Sequence, residues 1–175
     1  DLDSKVAIFS LDENNIHIKQ FAKEGKVTCV YEEGFVTIKK GDWKIRIAKV
    51  QNIPITMEGK AKFMISNVLA ASLATYLYGF EIEDIANALR TFIPSAQLTP
   101  GRLNVFKFKN FKVLIDFAHN ASGYEAIEDY LKNIEATKKI GIISGVGDRR
   151  DEDIKECGKI AGRMFDHIII RNEKH

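Results

Sequence analysis

Past Gly101 the hydrophobic period switches repeatedly between that of a strand and that of a helix, and no other feature of the chain constrains its fold as tightly. Residues 111–115 form an apolar run short enough for a buried strand, and residues 140–143 and 167–170 repeat it. Helical stripes lie between these runs: Ile127, Tyr130, Leu131 and Ile134 first, then Ile154, Cys157, Ile160, Ala161 and Met164. Ser122-Gly123-Tyr124-Glu125 has the spacing of a capping box at the start of the first helix. Strand, helix, strand, helix, strand predicts a parallel βαβαβ sheet with helical crossovers. A parallel sheet is covered on both faces, so the last strand is expected to pair with residues beyond His175.

Upstream of Gly101 the pattern differs. Residues 6–9 read as a short strand, residues 16–23 as a helix closed by Gly25, and residues 27–31, 35–39 and 43–50 as three further strands. Glu32-Glu33-Gly34 and Lys40-Gly41-Asp42 separate the last three as hairpin turns. From Lys60 the period turns helical, with Ala61, Ile65, Val68, Leu69, Ser72, Leu73 and Tyr76 on one stripe ended by Gly79. Residues 81–92 make a second helix, with Ile82, Ile85, Ala86 and Leu89 on one side. This half therefore predicts an antiparallel β meander followed by a helix pair. Pro94 and Pro100, two of the three prolines, flank the best candidate for a linker, so the 175 residues read as two small domains.

Lys+Arg 26 against Asp+Glu 24 leaves +2, with both signs spread along the chain, which argues against a dedicated nucleic-acid binder. Cys29 and Cys157 stand far apart with no Cys-x-x-Cys pattern, so neither a disulfide framework nor a zinc site is expected, and a reducing cytoplasm is the default. No apolar run reaches the roughly 18 residues of a membrane span. The chain begins at Asp1 with no signal-peptide pattern, and is expected to be a piece of something longer.

Ligands of open parallel sheets bind beyond the carboxyl ends of the strands. Two such ends carry polar clusters: Asp116-Phe117-Ala118-His119-Asn120, and Gly145-Val146-Gly147-Asp148-Arg149-Arg150. On neighbouring strands the two clusters would face one crevice. Each also has a plainer reading: Asp116 as a helix cap or Asx-turn, His119 as a loop residue bonded to a carbonyl, the glycines as an ordinary loop, and the arginines as a solvated helix start. Glycines, an aspartate and arginines just before a helix nonetheless suit phosphate or carboxylate recognition. Arg102 follows a rigid Thr99-Pro100-Gly101 lead at the junction, where clefts are common, or is an exposed linker arginine. Asn67 interrupts an apolar helical run, where a buried amide must find a partner: a neighbouring loop, or the edge of a base. There is no Gly-x-x-x-x-Gly-Lys-[Ser/Thr] P-loop, and no carboxylate pair or Ser/His/Asp set for self-sufficient hydrolysis.

Taken together, several segments carry a resemblance. They are Gly59-Lys60-Ala61-Lys62-Phe63 with Asn67-Val68-Leu69-Ala70-Ala71, Phe92-Ile93-Pro94-Ser95, and Thr99-Pro100-Gly101-Arg102-Leu103-Asn104. Ile115-Asp116-Phe117-Ala118-His119-Asn120, Gly123-Tyr124-Glu125-Ala126 and Gly147-Asp148-Arg149-Arg150-Asp151-Glu152-Asp153-Ile154 continue it. From about Val6 to its last residue the chain resembles the carboxy-terminal, Mur-ligase-like half of the cyanophycin synthetase family. The last string is specific to that family. The Asp-x-Ala-His-Asn and Gly-Arg elements are shared more widely, across Mur ligases and folylpolyglutamate synthases.

The resemblance implies an α/β fold in two parts. Residues 1–95 would end a Mur-ligase central (ATPase) domain, residues 96–101 would link, and residues 102–175 would begin a truncated Rossmann-like carboxy-terminal domain. It implies ATP- and Mg²⁺-dependent amide ligation through an acyl phosphate, adding arginine to the aspartate side chains of an aspartate–arginine polymer. A cytoplasmic homo-oligomer with neither nucleic-acid nor membrane partners would be the full-length form. Asn67 would contact adenine, Arg102 the nucleotide, and Asp116 the ribose hydroxyls, as a carboxylate can. Asn120 would share in nucleotide binding and His119, with Arg102, in catalysis. Asp148, Arg149 and Arg150 would meet the incoming substrate. Met64 departs from the family's usual asparagine, and Ala121 from its usual proline. With the P-loop and most Mg²⁺ ligands lying elsewhere, the chain alone is expected not to catalyse ligation. Another Mur-type ligase, for peptidoglycan precursors or folate, and a non-catalytic nucleotide-binding or assembly module are the alternatives.

Overall fold

Glu33 and Gly34 both take positive φ, at 49° and 84°, which closes a two-residue hairpin of the kind that follows the twist of its strands. That turn joins β2 (Val27–Glu32) to β3 (Phe35–Lys40), and Gly41 lies in the next turn, before β4 (Trp43–Lys49). All three pair antiparallel, with a register shift between Val36 and Thr37. The sheet is completed by β1 (Ile8–Ser10), which pairs parallel to β2 through the short helix α1 (Ile16–Lys23). The computed structural model describes residues 6–145 and 149–171. They divide into two compact units, one ending at Pro94 and the other beginning at Ser95.

In the first unit the sheet packs on α2 (Lys62–Tyr78) and α3 (Ile82–Thr91). Alternate strand residues Cys29, Val36 and Ile38 meet Ile65, Leu69 and Leu73 of α2 and Ile85 of α3 in one buried cluster. The stripe on α2 is as the periodicity predicts, with Met64 added. The Thr56 hydroxyl, fully buried, shares its one proton between the carbonyl oxygens of Val50 and Ile53, each 2.8 Å away, and fixes the turn that leads into α2. Gly79 ends α2 at φ 103°, a left-handed cap that a residue with a Cβ adopts only at a cost.

The opposite face of the sheet is polar and yet buried. Glu32, 4% exposed, accepts hydrogen bonds from the Nζ of Lys39 at 2.6 Å and of Lys44 at 3.0 Å. Burial acts to raise the pKa of Glu32, but the two lysine hydrogen bonds and the charge of Lys39 outweigh it and hold the carboxyl at about 2. Nearby, Arg46 pairs with Glu33 and lies over the ring of Phe35.

The second unit begins with a hairpin that the periodicity does not anticipate. β5 (Asn104–Lys107) pairs antiparallel with β6 (Lys112–Ile115), Lys107 opposite Lys112. α4 (Ala121–Lys132) follows, then β7 (Ile140–Ser144), α5 (Asp151–Met164) and β8 (His167–Arg171). β7 and β8 pair parallel across α5, the right unit for a Rossmann-like α/β arrangement. Among the described residues the hydrogen-bonded neighbour of β6 is β5 and not β7. A four-residue strand with a short local turn finds an antiparallel partner at little loop-closure cost. Helices α4 and α5 bury Ile127, Tyr130, Ile160, Ala161 and Met164, and Arg163 of α5 reaches Glu128 of α4 at 3.2 Å.

Candidate functional site

The loop after β6 is tied down by backbone bonds before it offers any side chain. Asp116 accepts a 2.8 Å hydrogen bond from the backbone N–H of Leu103 through Oδ2, and the N–H of Phe117 donates to the Gly101 carbonyl at 2.7 Å. Asn104 completes the frame, accepting from the Gly101 N–H at 2.8 Å and donating to the Thr99 carbonyl at 3.0 Å. Asp116 thus neither caps a helix nor forms an Asx-turn. It fastens the start of β5 to the end of β6, and its second oxygen has no hydrogen-bond partner among the described residues.

That frame holds a short line of side chains. The guanidinium of exposed Arg102 lies 5.7 Å from the centre of the Phe117 ring, and Phe117 meets His119 edge-on at 5.9 Å. His119 Nδ1 stands 2.8 Å from the Phe117 carbonyl. A carbonyl only accepts, so Nδ1 is the donor in this contact, and in the neutral ring Nε2 is then the acceptor. Asn120 is committed to structure. It is the N-cap of α4 and accepts from the Gly123 N–H at 2.8 Å. The N-cap is therefore Asn120, two residues before the Ser122 of the expected capping box, because the Asn120 side chain satisfies the free N–H of Gly123.

His119 also reaches a cleft of about 140 Å³ at the carboxyl end of β7, where Ser144, Gly145 and Arg149 line it as well. The loops after β6 and β7 do converge, although their strands are not hydrogen-bonded to one another. Tyr124 of α4 and Asp153 and Cys157 of α5 supply further polar groups, and Ile143, Ile154 and Ile170 the apolar walls. Burial raises the Cys157 thiol; Arg149 pulls it down, while Asp153 and Glu156 add to the rise. The expected inward stripe of α5 is thus split: Ile160, Ala161 and Met164 are core, whereas Ile154 and Cys157 face the cleft.

The remaining candidates fall in different places. Arg150 is the N-cap residue of α5, and its Nε and Nη2 grip the two oxygens of Asp153 at 3.0 Å each, which is the solvated helix-start reading. Asp148 lies outside the described residues. Asn67 is exposed on α2, not a buried amide. The buried face of that helix runs through Met64, Ile65, Val68 and Leu69, and position 67 points away from it. Among the described residues the amide Nδ2 of Asn67 has one contact, 3.8 Å to the Met64 sulfur. Sequence reasoning misses Tyr124, Ser144, Asp153 and Cys157 as site residues; only the helical spacing of 149, 153 and 157 hints at one face.

Among the described residues no three His, Cys, Asp or Glu side chains are grouped to hold a metal ion, and no helix is long and apolar enough to cross a membrane. No family model matches the chain. It is 47% identical over 169 residues to cyanophycin synthetase from Geminocystis herdmanii, covering 97% of this chain and 19% of the relative. The Synechocystis cyanophycin synthetase is 42% identical over 170 residues, with the same coverage. The chain therefore spans about one fifth of the length of these curated relatives. A diaminopimelate ligase of Rickettsia montanensis is more distant, 30% identical over 79% of the chain and 31% of the relative.

Among solved structures, MurF from Acinetobacter baumannii superposes with a TM-score of 0.59 at 17% identity, over 95% of this chain and 38% of its own. FolC from E. coli, solved in complex with ADP, gives 0.59 at 16% over 90% and 37%. The structural likenesses establish a Mur-ligase fold. Joined to the sequence identity along nearly the whole chain, they make this segment a member of the cyanophycin synthetase family, from its Mur-ligase-like part.

Proposed function

We propose that this chain is the part of an ATP-dependent amide ligase that carries nucleotide and acceptor contacts, and that the parent enzyme adds arginine to the aspartate side chains of an aspartate–arginine polymer. Residues 1–95 would belong to the central ATPase domain, 96–101 to the linker and 102–175 to the carboxy-terminal domain. The observation that carries the reading is identity of 42–47% over 97% of the chain, in a stretch that includes every proposed site residue. ATP is the activating nucleotide; relatives of the same fold have been solved with ADP.

In this reading Asp116 receives the ribose hydroxyls on its unengaged oxygen and Arg102 offsets phosphate charge. Asn67, solvent-facing, meets the base. His119 presents Nε2 to the cleft and acts with Arg102 near the reacting atoms. Arg149 meets the incoming amino acid, with Asp148 beside it in sequence. Asn120 serves by capping α4 under this loop, and Arg150 by holding Asp153. Mg²⁺ would be held by ligands lying mostly outside this chain; among the described residues no three His, Cys, Asp or Glu side chains are grouped to hold it. A cytoplasmic homo-oligomer is the expected setting.

The test grafts this chain in place of the matching stretch of the Geminocystis relative. The chimera should release ADP only with an aspartate–arginine primer and arginine, and Asp116→Asn should raise its ATP requirement more than its primer requirement. A folded chimera without that release would overturn the reading. Turnover of nucleotide-linked muramyl peptides would favour a peptidoglycan ligase instead.

A further inference from the structure

Tyr124 lies near the start of α4 with 8% of its surface exposed. A tyrosine buried to this extent usually finds a partner for its O–H. The Tyr124 phenol has none among the described residues, yet it is not sealed away as the hydroxyls of Thr28, Thr37 and Ser72 are. Its side chain lines the cleft beyond β7 together with His119, Ser144, Arg149 and Cys157. Burial raises its pKa first, and the charge of a Cys157 thiolate would raise it further. At neutral pH the phenol is therefore protonated, and can donate a hydrogen bond into the cleft.

The charge of the lining favours an anion. Asp153 is held on both oxygens by Arg150 and also feels the charge of Arg149, but Arg149 has no carboxylate at ion-pair distance among the described residues and keeps its hydrogen-bond donors for a ligand. A guanidinium and a neutral O–H donor converging on one small space suit an oxyanion, either carboxylate or phosphate.

We propose that Tyr124 is a ligand-binding residue of this cleft, donating its O–H to an oxyanion that Arg149 attracts. The proposal deepens the ligase reading and rests on it for the choice of candidate ligands: an amino acid brings a carboxylate, a nucleotide its phosphates.

The protein carries its own reporter. Cys157 borders the cleft, whereas Cys29 is fully buried with its thiol pushed up to about 12, and serves as a silent control. Alkylation of Cys157 by iodoacetamide is timed on the 175-residue chain against rising L-arginine, inorganic phosphate and ADP in separate arms. At least one probe should slow the reaction, and Tyr124→Phe should raise its half-protecting concentration by about tenfold or more, the effect of losing one hydrogen bond to a charged acceptor. Protection by L-arginine with this dependence identifies a carboxylate, and protection by phosphate or ADP identifies a phosphate; either supports the proposal. Equal protection of wild type and Tyr124→Phe, or no protection by any probe, would overturn it. A measurement on the unaltered chain guards against a variant that fails to fold: the ring Cζ resonance of Tyr124 should move on addition of the protecting probe, and an unmoved resonance also overturns the proposal. None of these readouts requires ligation, so a chain that fails the chimera test can still pass this one, and the reverse.

Discussion

Replacing Glu32 by Gln asks whether charge, and not merely shape, holds the polar face of the first sheet. Glu32 is almost fully buried, with two lysine ammonium groups at 2.6 and 3.0 Å. A carboxyl held at about 2 instead of its ordinary 4.5 is linked to about 3 kcal/mol of stability. The sign follows from the direction of the shift. The folded-state pKa lies below the unfolded one, so the contribution is complete above about pH 5 and drains as pH falls through the unfolded value towards the folded one. By about pH 3 roughly 2 kcal/mol of it should be gone. The assay is urea unfolding read by the fluorescence of Trp43, the single tryptophan, which lies in β4 next to Lys44 and so reports on this sheet. Glu32→Gln should cost most near neutral pH, and the gap to wild type should close by about 2 kcal/mol on going to about pH 3. Parallel wild-type and variant profiles across that range would refute the reasoning, and would leave the lysines as surface charges with little hold on the carboxyl.

Further outcomes concern the second unit. A Cβ at Gly141 would overlap the Phe165 ring, so Gly141→Ala should lower stability by about 1–3 kcal/mol in thermal unfolding, and Phe165→Leu in the same chain should recover much of it. Asn120→Ala removes the cap of α4 and should cost about 1 kcal/mol, with faster amide hydrogen exchange at Gly123.

The parts of the fold legible in the amino-acid order are those where burial and period coincide. The stripe of α2 is read correctly because each of Ile65, Val68, Leu69 and Leu73 both obeys the helical period and meets the core. The β2–β3 turn is legible because Gly34 requires a conformation few other residues take readily. β5 is missed for the opposite reason. Asn104-Val105-Phe106-Lys107 offers four residues of weak alternation, too few to count a period, and its pairing with β6 depends on a turn without a glycine or proline. The parallel pairing of β7 with β8 is legible, whereas the neighbour of β6 is not. An apolar run of four residues states that a strand is buried or paired, but not with which partner.

The site divides along another line. Asp116, His119 and Asn120 stand within five residues and look alike as candidate ligand contacts, yet one fastens a hairpin, one caps a helix and one reaches the cleft. Spacing cannot separate these roles, because each depends on which backbone N–H comes within reach once the loop has folded. Tyr124 and Cys157 are hidden by a different effect. Both occupy positions where a helical period signals core: Tyr124 is buried and Cys157 half-buried, and both line the cleft at the carboxyl end of β7. An amphipathic side chain at the margin of a core can therefore satisfy the folding pattern and line a cleft at once. The loop residues that look alike as ligand contacts are therefore divided between bracing the backbone and lining the cleft, while two of the residues that line it pass for packing.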